Sequence, residues 1–553
     1  MSAALEWFRR LQVHERKLLA RFDPNDDPGA EPITIVAVLT LVVACAVSLA
    51  FFVSYRLQPM QDLGHHLALA AVYADRGKPG SVYNDLYERM DVLSANSLLY
   101  TLAAPLSRVM KVTTAVRGML GFYLLGVPLA TAWALRVYGR SIWPAVLSTA
   151  LVYNMVYVAG FANLLFAAPF MILALPVLDR CLERRTTGWI VGSIALYVVI
   201  FLSHAHGFLW IGFLSALLVL ARVIAAAVAP HPIRARVREA LAIAVVASAA
   251  VAPSLVLFVR WYHRTFGEGR HAGGVAAATA GAADKFGAWW RSPKEVLTEL
   301  VTTTVKLFSN DDKDLKCVMT LMALLAFSVA FSRLHRYRRA PVLELACAVT
   351  FASYFLLPEG LTGHDVLASR QVSLALWFAP ALFGPVPART SRVARAAVVA
   401  GIVVVTVQML SAWRAHLRDF ATESQGLFKV LAKAPQRKWL HYVKAENSSS
   451  VFTWYPYLHV DKYYASEAYG QIADTPAILS TAAIRYRTGI DIHRVADHGN
   501  GWVRNDEIWK NFDLVLTRRW VPTADQLAVA REKGTLLAAE GEWQLWQSRI
   551  VQR

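Results

Sequence analysis

Three residues that could carry chemistry follow the first long apolar segment of the chain. The segment "ITIVAVLTLVVACAVSLAFFVSY" leads directly into "RLQPMQDLGHHLALAAVYADRGK", which contains Asp62, His65 and His66. A carboxylate can accept a proton, and an imidazole can donate a proton, accept one or bind a metal ion. Because positions three and four apart are neighbours on a helix, two of the three residues could share one face of a short helix.

Further candidates lie in two polar connections between apolar segments. The connection "SHAHG" contains His204 and His206, and "PEGLTGHDVLASRQ" contains His364, Asp365 and Arg370. Arg370 directly precedes an apolar segment, at the depth where a lipid phosphate would lie. A guanidinium can bind a phosphate through paired, charge-assisted hydrogen bonds, so we predict that Arg370 contacts an anionic substrate group.

Each candidate also has a structural interpretation. Asp62 could cap a helix, since Asp is a favoured N-cap residue. The histidines could form structural hydrogen bonds or, with an aspartate, bind a metal ion. Arg370 could be an interfacial cation that extends toward the membrane surface. Residue types alone leave these alternatives open. A divalent metal is compatible with the residue types, but we predict no cofactor and no metal site from the sequence.

The composition is that of a membrane protein with many spans. Of 553 residues, 56% are hydrophobic and 17% are charged, and the mean hydropathy is +0.38. Repeated apolar segments of about twenty residues are long enough to cross a bilayer. The net charge of +18 comes mostly from connections between these segments. Neither a basic helix nor a basic and aromatic surface typical of nucleic-acid binding is present, and the four cysteines form no disulfide or metal motif.

The apolar segments predict an all-α polytopic membrane domain of about eleven transmembrane helices. The predicted spans are 33–54, 115–137, 142–159, 161–179, 188–203, 207–228, 239–260, 315–332, 341–357, 372–386 and 396–413. Arg and Lys cluster in alternate connections, which places those connections and the N-terminus in the cytoplasm. The chain therefore divides into a cytoplasmic segment (1–32), a transmembrane domain (33–413) and an extracytoplasmic tail (414–553).

Two outer loops, 55–114 and 261–314, are predicted to face the same side as the tail. The first alternates polar and apolar residues as interfacial helices do. In the tail, "SVFTWYPYLHV", "FDLVLTRRW" and "EWQLWQSRIVQ" have the composition of strands, whereas "ADQLAVAREKGTLLAAE" has helical periodicity. We therefore expect the tail to form a small α/β domain.

This layout resembles that of the GT-C superfamily of polytopic glycosyltransferases. The resemblance covers the whole chain: an acidic residue after the first span, a long first outer loop, many spans and an outer C-terminal domain. The segments "YNMVYVAGFANLLFAAPFMILAL", "SHAHGF" and "FDLVLTRRW … WQLWQSR" look like those of uncharacterised bacterial members. The chain differs from the commoner Asp-Asp or Asp-Glu pair of the first outer loop in having "QDLGHH".

The resemblance implies transfer of a sugar from a polyprenyl-phosphate-linked donor to a lipid, glycan or protein acceptor at the outer face of the plasma (inner) membrane. Asp62 would be the catalytic base. Arg370, His65, His66, His204, His206, His364 and Asp365 would contact substrates. A transporter or flippase, or an inactive protein of the same fold, is the alternative; the sequence has no GxxxxGK[ST] loop, and few ionisable groups lie within its spans.

Overall fold

The computed structural model describes residues 34–88, 92–266, 290–334, 341–360, 366–383, 392–473, 484–487 and 506–551. The predicted cytoplasmic segment 1–32 and the candidates His364 and Asp365 lie outside the described residues. Most of the described chain is helical, and one mixed β-sheet lies near its C-terminal end.

Six described helices are long and apolar enough to cross a membrane. They are α1 (Ile35–Ser54), α4 (Val112–Val137), α7 (Ala162–Arg184), α9 (Ala205–Val228), α10 (Ile233–Phe266) and α15 (Arg392–Glu423). Two short helices, α2 (Leu63–Asp75) and α3 (Leu98–Leu106), lie between α1 and α4 in the chain. Helical segments also coincide with the other predicted spans, but several of these are short. The chain is thus a membrane-embedded helical protein, and the count of eleven spans stays a prediction.

The remaining helices of the membrane region pack among these six. They are α5 (Ala145–Leu151), α6 (Met155–Ala159), α8 (Thr187–Ser203), α11 (Pro293–Glu299), α12 (Lys313–Leu334), α13 (Pro341–Leu356) and α14 (Leu367–Phe378). Helix α7 lies at the centre, against α4, α8 and α9, and is mostly buried because its side chains are small or apolar on nearly every face. Helix α14 packs against α13 and approaches α6.

The tail contains a five-stranded sheet. Its strands are β2 (Trp439–Val443), β3 (Gln471–Ile472), β5 (Leu514–Arg518), β6 (Gly534–Glu540) and β7 (Trp543–Ser548), in the spatial order β3-β2-β5-β7-β6. Strands β3, β2 and β5 are parallel, and β7 is antiparallel to both β5 and β6. Helices α16 (Leu427–Leu431), α17 (Lys462–Ala468), α18 (Asp506–Asn511) and α19 (Ala524–Lys533) connect or cover the strands.

Three details in and next to the tail differ from the prediction. The segment 450–460 forms turns, and only Phe452 makes a β-bridge, with Phe308, because its aromatic side chains pack against α15 instead of extending a sheet. The predicted helix 524–540 ends at Lys533. Its second half is the edge strand β6, in register with β7 through pairs such as Thr535 with Gln547. Helix α15 also continues beyond the predicted boundary at 413, to Glu423.

The tail docks on segment 55–114, the predicted first outer loop, through specific contacts. The Glu467 carboxylate, on α17, accepts from Lys111 at 3.0 Å and pairs with Arg56 at 3.1 Å. The Tyr83 hydroxyl donates to the carbonyl of Gly470 at 2.9 Å. The short strand β1 (Tyr87–Glu88) pairs with β4 (Arg485–Tyr486). The first outer loop and the tail therefore pack as one layer against the ends of the membrane helices.

Candidate functional site

The chain around Asp62 is held against the turn that connects α6 to α7. The backbone N–H of Gln61 donates to the carbonyl of Val158 at 2.8 Å, and that of Asp62 donates to Ala159 at 3.0 Å. The turn contains Gly160, at φ +81°, where a Cβ atom would lie 2.6 Å from the Asp62 nitrogen. Only glycine combines this backbone conformation with this close approach. The "AGFAN" turn thus fixes where Asp62 lies.

Asp62 occupies the N-cap position of α2, yet its side chain makes no capping hydrogen bond. The carboxylate faces the tail instead, where one oxygen lies 3.6 Å from Nε2 of His459. About 26% of the Asp62 side chain is exposed, so a substrate can reach it. The structural interpretation of Asp62 as a helix cap therefore fails, and the carboxylate can serve another role.

His65 and His459 lie side by side next to Asp62. Their ring centroids are 3.7 Å apart, and one ligand atom from each of Asp62, His65 and His459 lies within 4.8 Å of the others. The close approach depends on Gly64, because a Cβ atom there would lie 1.9 Å from the carbonyl oxygen of His459. The tail therefore supplies one member of this cluster, which we call the Asp62 cluster.

Burial keeps both histidines of the Asp62 cluster neutral. Desolvation is the largest cause that lowers the pKa of His65 and of His459 well below the usual value of 6.5, and the positive charge of Lys462 lowers both further. At neutral pH each ring therefore has one nitrogen with a free lone pair, which can accept a hydrogen bond or bind a metal ion. This cluster is the set of described His, Cys, Asp and Glu residues that could hold an ion.

His66 points away from the Asp62 cluster. Its Nδ1 atom lies 2.7 Å from the hydroxyl of Tyr100, which in turn accepts from the Asn163 amide at 3.2 Å. Burial lowers the pKa of His66 to about 4. These contacts join α2 to α3 and to the start of α7, so His66 has structural partners, and its predicted contact with substrate stays a prediction.

His204 and His206 have different surroundings. His204 caps α9, because its Nδ1 atom accepts from the backbone N–H of Gly207 at 3.1 Å. His206 lies on the other side of the turn, with Nε2 3.3 Å from Nε2 of Gln371. The sequence raised a structural hydrogen-bonding role for these histidines, and His204 has one. His206 instead lies beside the residue that follows Arg370.

Arg370 lies against the same turn that holds Asp62. Its guanidinium carbon is 4.1 Å from the centre of the Phe161 ring, and Phe161 directly follows Gly160. A second contact fastens α14 here, since the Ser373 hydroxyl accepts from the backbone N–H of Val156 at 3.3 Å. One short turn therefore contacts the backbone of Asp62 and the side chain of Arg370.

The beginning of α14 is capped by a residue from the preceding connection. One carboxylate oxygen of Glu359 accepts from the Ser369 hydroxyl at 2.7 Å, and the other accepts from the Ser369 backbone N–H at 3.1 Å. Arg291 pairs with Glu359 at 3.4 Å, and both side chains are buried. Burial raises the pKa of Glu359, although Ser369 and Arg291 oppose that rise. Glu359 thus positions the residue next to Arg370.

The structure brings together residues that the sequence showed separately. Asp62 and His65 share one cluster, and Arg370 and His206 lie on α14 and α9 around the adjoining turn. His459 and Gln371 were not predicted from the sequence. No local signal marks either residue: His459 lies in a segment predicted to be a strand, and Gln371 is the last residue of a polar connection before a predicted span. Only their positions in the folded chain reveal them.

The architecture, with its membrane helices, first outer loop and docked C-terminal sheet, defines a polytopic membrane protein with a GT-C-type fold. Comparison with solved structures supports this assignment. ArnT from Cupriavidus metallidurans, solved with bound undecaprenyl phosphate, aligns over 93% of this chain and 99% of its own, with a TM-score of 0.53 and 13% identity.

A second solved structure is the arabinofuranosyltransferase AftD from Mycobacteria, with a TM-score of 0.48 and 14% identity; the alignment covers 92% of this chain and 40% of AftD. No protein-family model matches the chain, and no curated protein matches it. At these identities the likeness to ArnT shows the fold.

Proposed function

We propose that this protein is a membrane glycosyltransferase that moves a sugar from a polyprenyl-phosphate-linked donor to an acceptor on the extracytoplasmic face. The observation that carries the proposal is that one turn contacts both Asp62, whose carboxylate is partly exposed, and the guanidinium of Arg370. ArnT, whose fold the chain shares, was solved with undecaprenyl phosphate. The sugar and the acceptor are to be identified by experiment.

The chemistry assigns complementary roles to Asp62 and Arg370. Asp62 removes the proton from the acceptor's hydroxyl or amine as that atom attacks the anomeric carbon of the donor sugar. The bond between the anomeric carbon and the phosphate oxygen breaks, and the polyprenyl phosphate leaves with the electron pair. Arg370 offsets the negative charge that develops on this leaving phosphate, and its planar fork can bind two phosphate oxygens.

The neighbouring groups make these roles more effective. His65 and His459 lie beside Asp62 and can orient it or the acceptor by hydrogen bonding. His206 and Gln371 lie beside Arg370, where donor sugar hydroxyls would need partners. In this proposal the tail takes part in the site directly, because it supplies His459.

A transport function receives less support from the same structure. Ionisable groups that drive transport are usually found near the middle of the bilayer. Glu344, the clearest ionisable residue of the apolar segments, pairs instead with Arg140 at 3.3 Å. Arg140 also donates to the carbonyls of Ala381 and Phe383, both at 2.6 Å. This buried network ties helix ends together, as a structural contact does.

The test is transfer by the purified full chain in lipid nanodiscs. The protein is incubated with a panel of radiolabelled polyprenyl-phosphate-linked sugars and with membrane lipids and glycans as acceptors. The proposal expects a labelled acceptor and an equal amount of released polyprenyl phosphate, with one of the donors. Release without labelled acceptor, or movement of intact donor across the bilayer without cleavage, would contradict it.

A further inference from the structure

The Asp62 cluster contains the ligand set of a metal site. It consists of one carboxylate and two imidazoles, on α2 and on the segment before α17, and its three ligand atoms converge within 4.8 Å. Two histidines and one carboxylate, with a further position open to water or substrate, are a common arrangement at catalytic zinc sites and at other divalent transition-metal sites. We infer that Asp62, His65 and His459 bind one divalent transition-metal ion of the Zn²⁺ class.

The distances are close to those that such an ion requires. Tetrahedral Zn²⁺ has bonds of about 2.0–2.1 Å, so two of its ligand atoms lie about 3.4 Å apart. The Asp62 oxygen and His459 Nε2 are already 3.6 Å apart. The third ligand atom lies within 4.8 Å of both, so His65 needs to move by about 1.6 Å at most toward them. A side-chain rotation provides a movement of this size.

The hydrogen bonding of the two histidines also favours an ion. Among the described residues, Nδ1 of His65 and Nδ1 of His459 are buried and have no hydrogen-bond partner. Burial of a polar atom without a partner is unfavourable. Coordination of Nδ1 of His65 would remove that cost. A metal at His459 Nε2 would leave the other nitrogen of that ring, Nδ1, protonated.

The charges around the cluster are compatible with a cation. The positive charges of Lys462 and Lys444 act on both histidines, and that of Lys462 is offset by Asp461 at 3.2 Å, with both side chains buried. The carboxylate of Asp62 supplies the negative charge that an ion needs.

The metal site would join the tail to the first outer loop. Its role in catalysis rests on the proposed function of sugar transfer. An ion bound here leaves one position toward the exposed side of Asp62. An acceptor hydroxyl bound at that position loses its proton more readily, because the ion stabilises the resulting oxyanion. The ion and Asp62 would then prepare the acceptor together, while Arg370 contacts the donor phosphate.

The test is direct metal binding to the full chain, purified in nanodiscs without a histidine tag. Zn²⁺ content is measured after dialysis against trace Zn²⁺, and Co²⁺, whose visible absorption reports its coordination, is titrated into the metal-free protein. We expect one ion per chain. His65→Ala and His459→Ala should each raise the dissociation constant by at least about 100-fold, beyond the ~10–100-fold effect of changing an outer partner. His231→Asn, a change at an exposed histidine in a different connection, should have no effect.

Three outcomes separate this inference from the proposed function. Absence of stoichiometric binding, or unchanged affinity in folded His65→Ala and His459→Ala proteins, overturns the metal site. Full sugar transfer by protein shown to be metal-free overturns its role in catalysis and leaves the proposed function intact. One bound ion in a protein that cleaves none of the donors supports the metal site and contradicts the proposed function. Folding of each variant is checked by monodispersity and thermal unfolding.

Discussion

Replacement of Asp62 by asparagine is the most informative change to the proposed mechanism. The asparagine side chain has nearly the same shape as that of aspartate, but its amide cannot accept the acceptor's proton. The main-chain bond from residue 62 to the carbonyl of Ala159 is unaffected by the substitution. Because the Asp62 side chain makes no capping hydrogen bond, Asp62→Asn should not cost the approximately 1 kcal/mol of a lost helix cap.

The expected loss of activity is much larger than the expected loss of stability. A positioned general base contributes about 10²–10⁴-fold to rate. The Asp62 carboxylate is partly exposed. The other two members of the Asp62 cluster are histidines, so the cluster holds no second carboxylate that could replace it. We therefore expect kcat to fall by about 10²–10⁴-fold, while the thermal unfolding temperature changes little.

The assay uses single-turnover transfer from the active donor, at saturating donor and acceptor, so that the chemical step is observed. Asp85→Asn is the matched control, because Asp85 is an exposed carboxylate of the same outer loop that lies outside the Asp62 cluster. It should keep full activity. A correctly folded Asp62→Asn protein with near-native turnover would refute the assignment of Asp62, as would an equal loss in Asp85→Asn.

Four further predictions test the surroundings of the site. Arg370→Lys keeps the charge but loses the paired hydrogen bonds, so it should lower kcat/KM for the donor by about tenfold. Arg370→Ala should lower it by about 100-fold. If Arg370 were only an interfacial cation, the Lys variant would keep full activity. Glu359→Gln should raise the donor KM and cost about 1–3 kcal/mol of stability, because Arg291 loses a buried charged partner. An unchanged KM would show that Glu359 does not position α14 for donor binding. Gly64→Ala should displace the tail from α2 by about 1 Å and lower the transfer rate by about 100-fold. The control Gly192→Ala should have no effect, because a Cβ atom there meets no atom within 4 Å. Equal effects of the two variants would contradict the close approach of Gly64 to the His459 carbonyl. A C-terminal alkaline phosphatase fusion should be active and a green fluorescent protein fusion dark, and the reverse pattern would place the tail in the cytoplasm.

Local pattern was sufficient to predict most of the helices of the membrane region. Apolar segments of bilayer length must satisfy their backbone hydrogen bonds internally, which requires a helix wherever lipid surrounds the chain. Residues such as Asp62 and Arg370 could be singled out because each is a charged residue next to such a segment. The likeness in layout to the GT-C superfamily was also visible in the order of these segments, and the fold comparison with ArnT agrees with it.

The tail shows where local pattern was not sufficient. The segment 534–540 has helical composition, yet it is a strand because the edge of β7 offers it a full ladder of hydrogen bonds. The segment 450–460 has strand composition, yet its aromatic side chains are buried against α15. In both cases, contacts with distant parts of the chain outweigh the intrinsic preference of a short segment.

The sequence by itself determined the membrane helices, the polar residues at their ends and the general layout, because hydrophobicity and its period are properties of neighbouring residues. Tertiary structure alone decided that His459 joins Asp62 and His65, and that Phe161 brings Arg370 to the same turn. These contacts depend on how closely backbones approach, at Gly64 and at Gly160. A glycine in the sequence shows that a close approach is allowed, but only the folded chain shows which distant residue makes it.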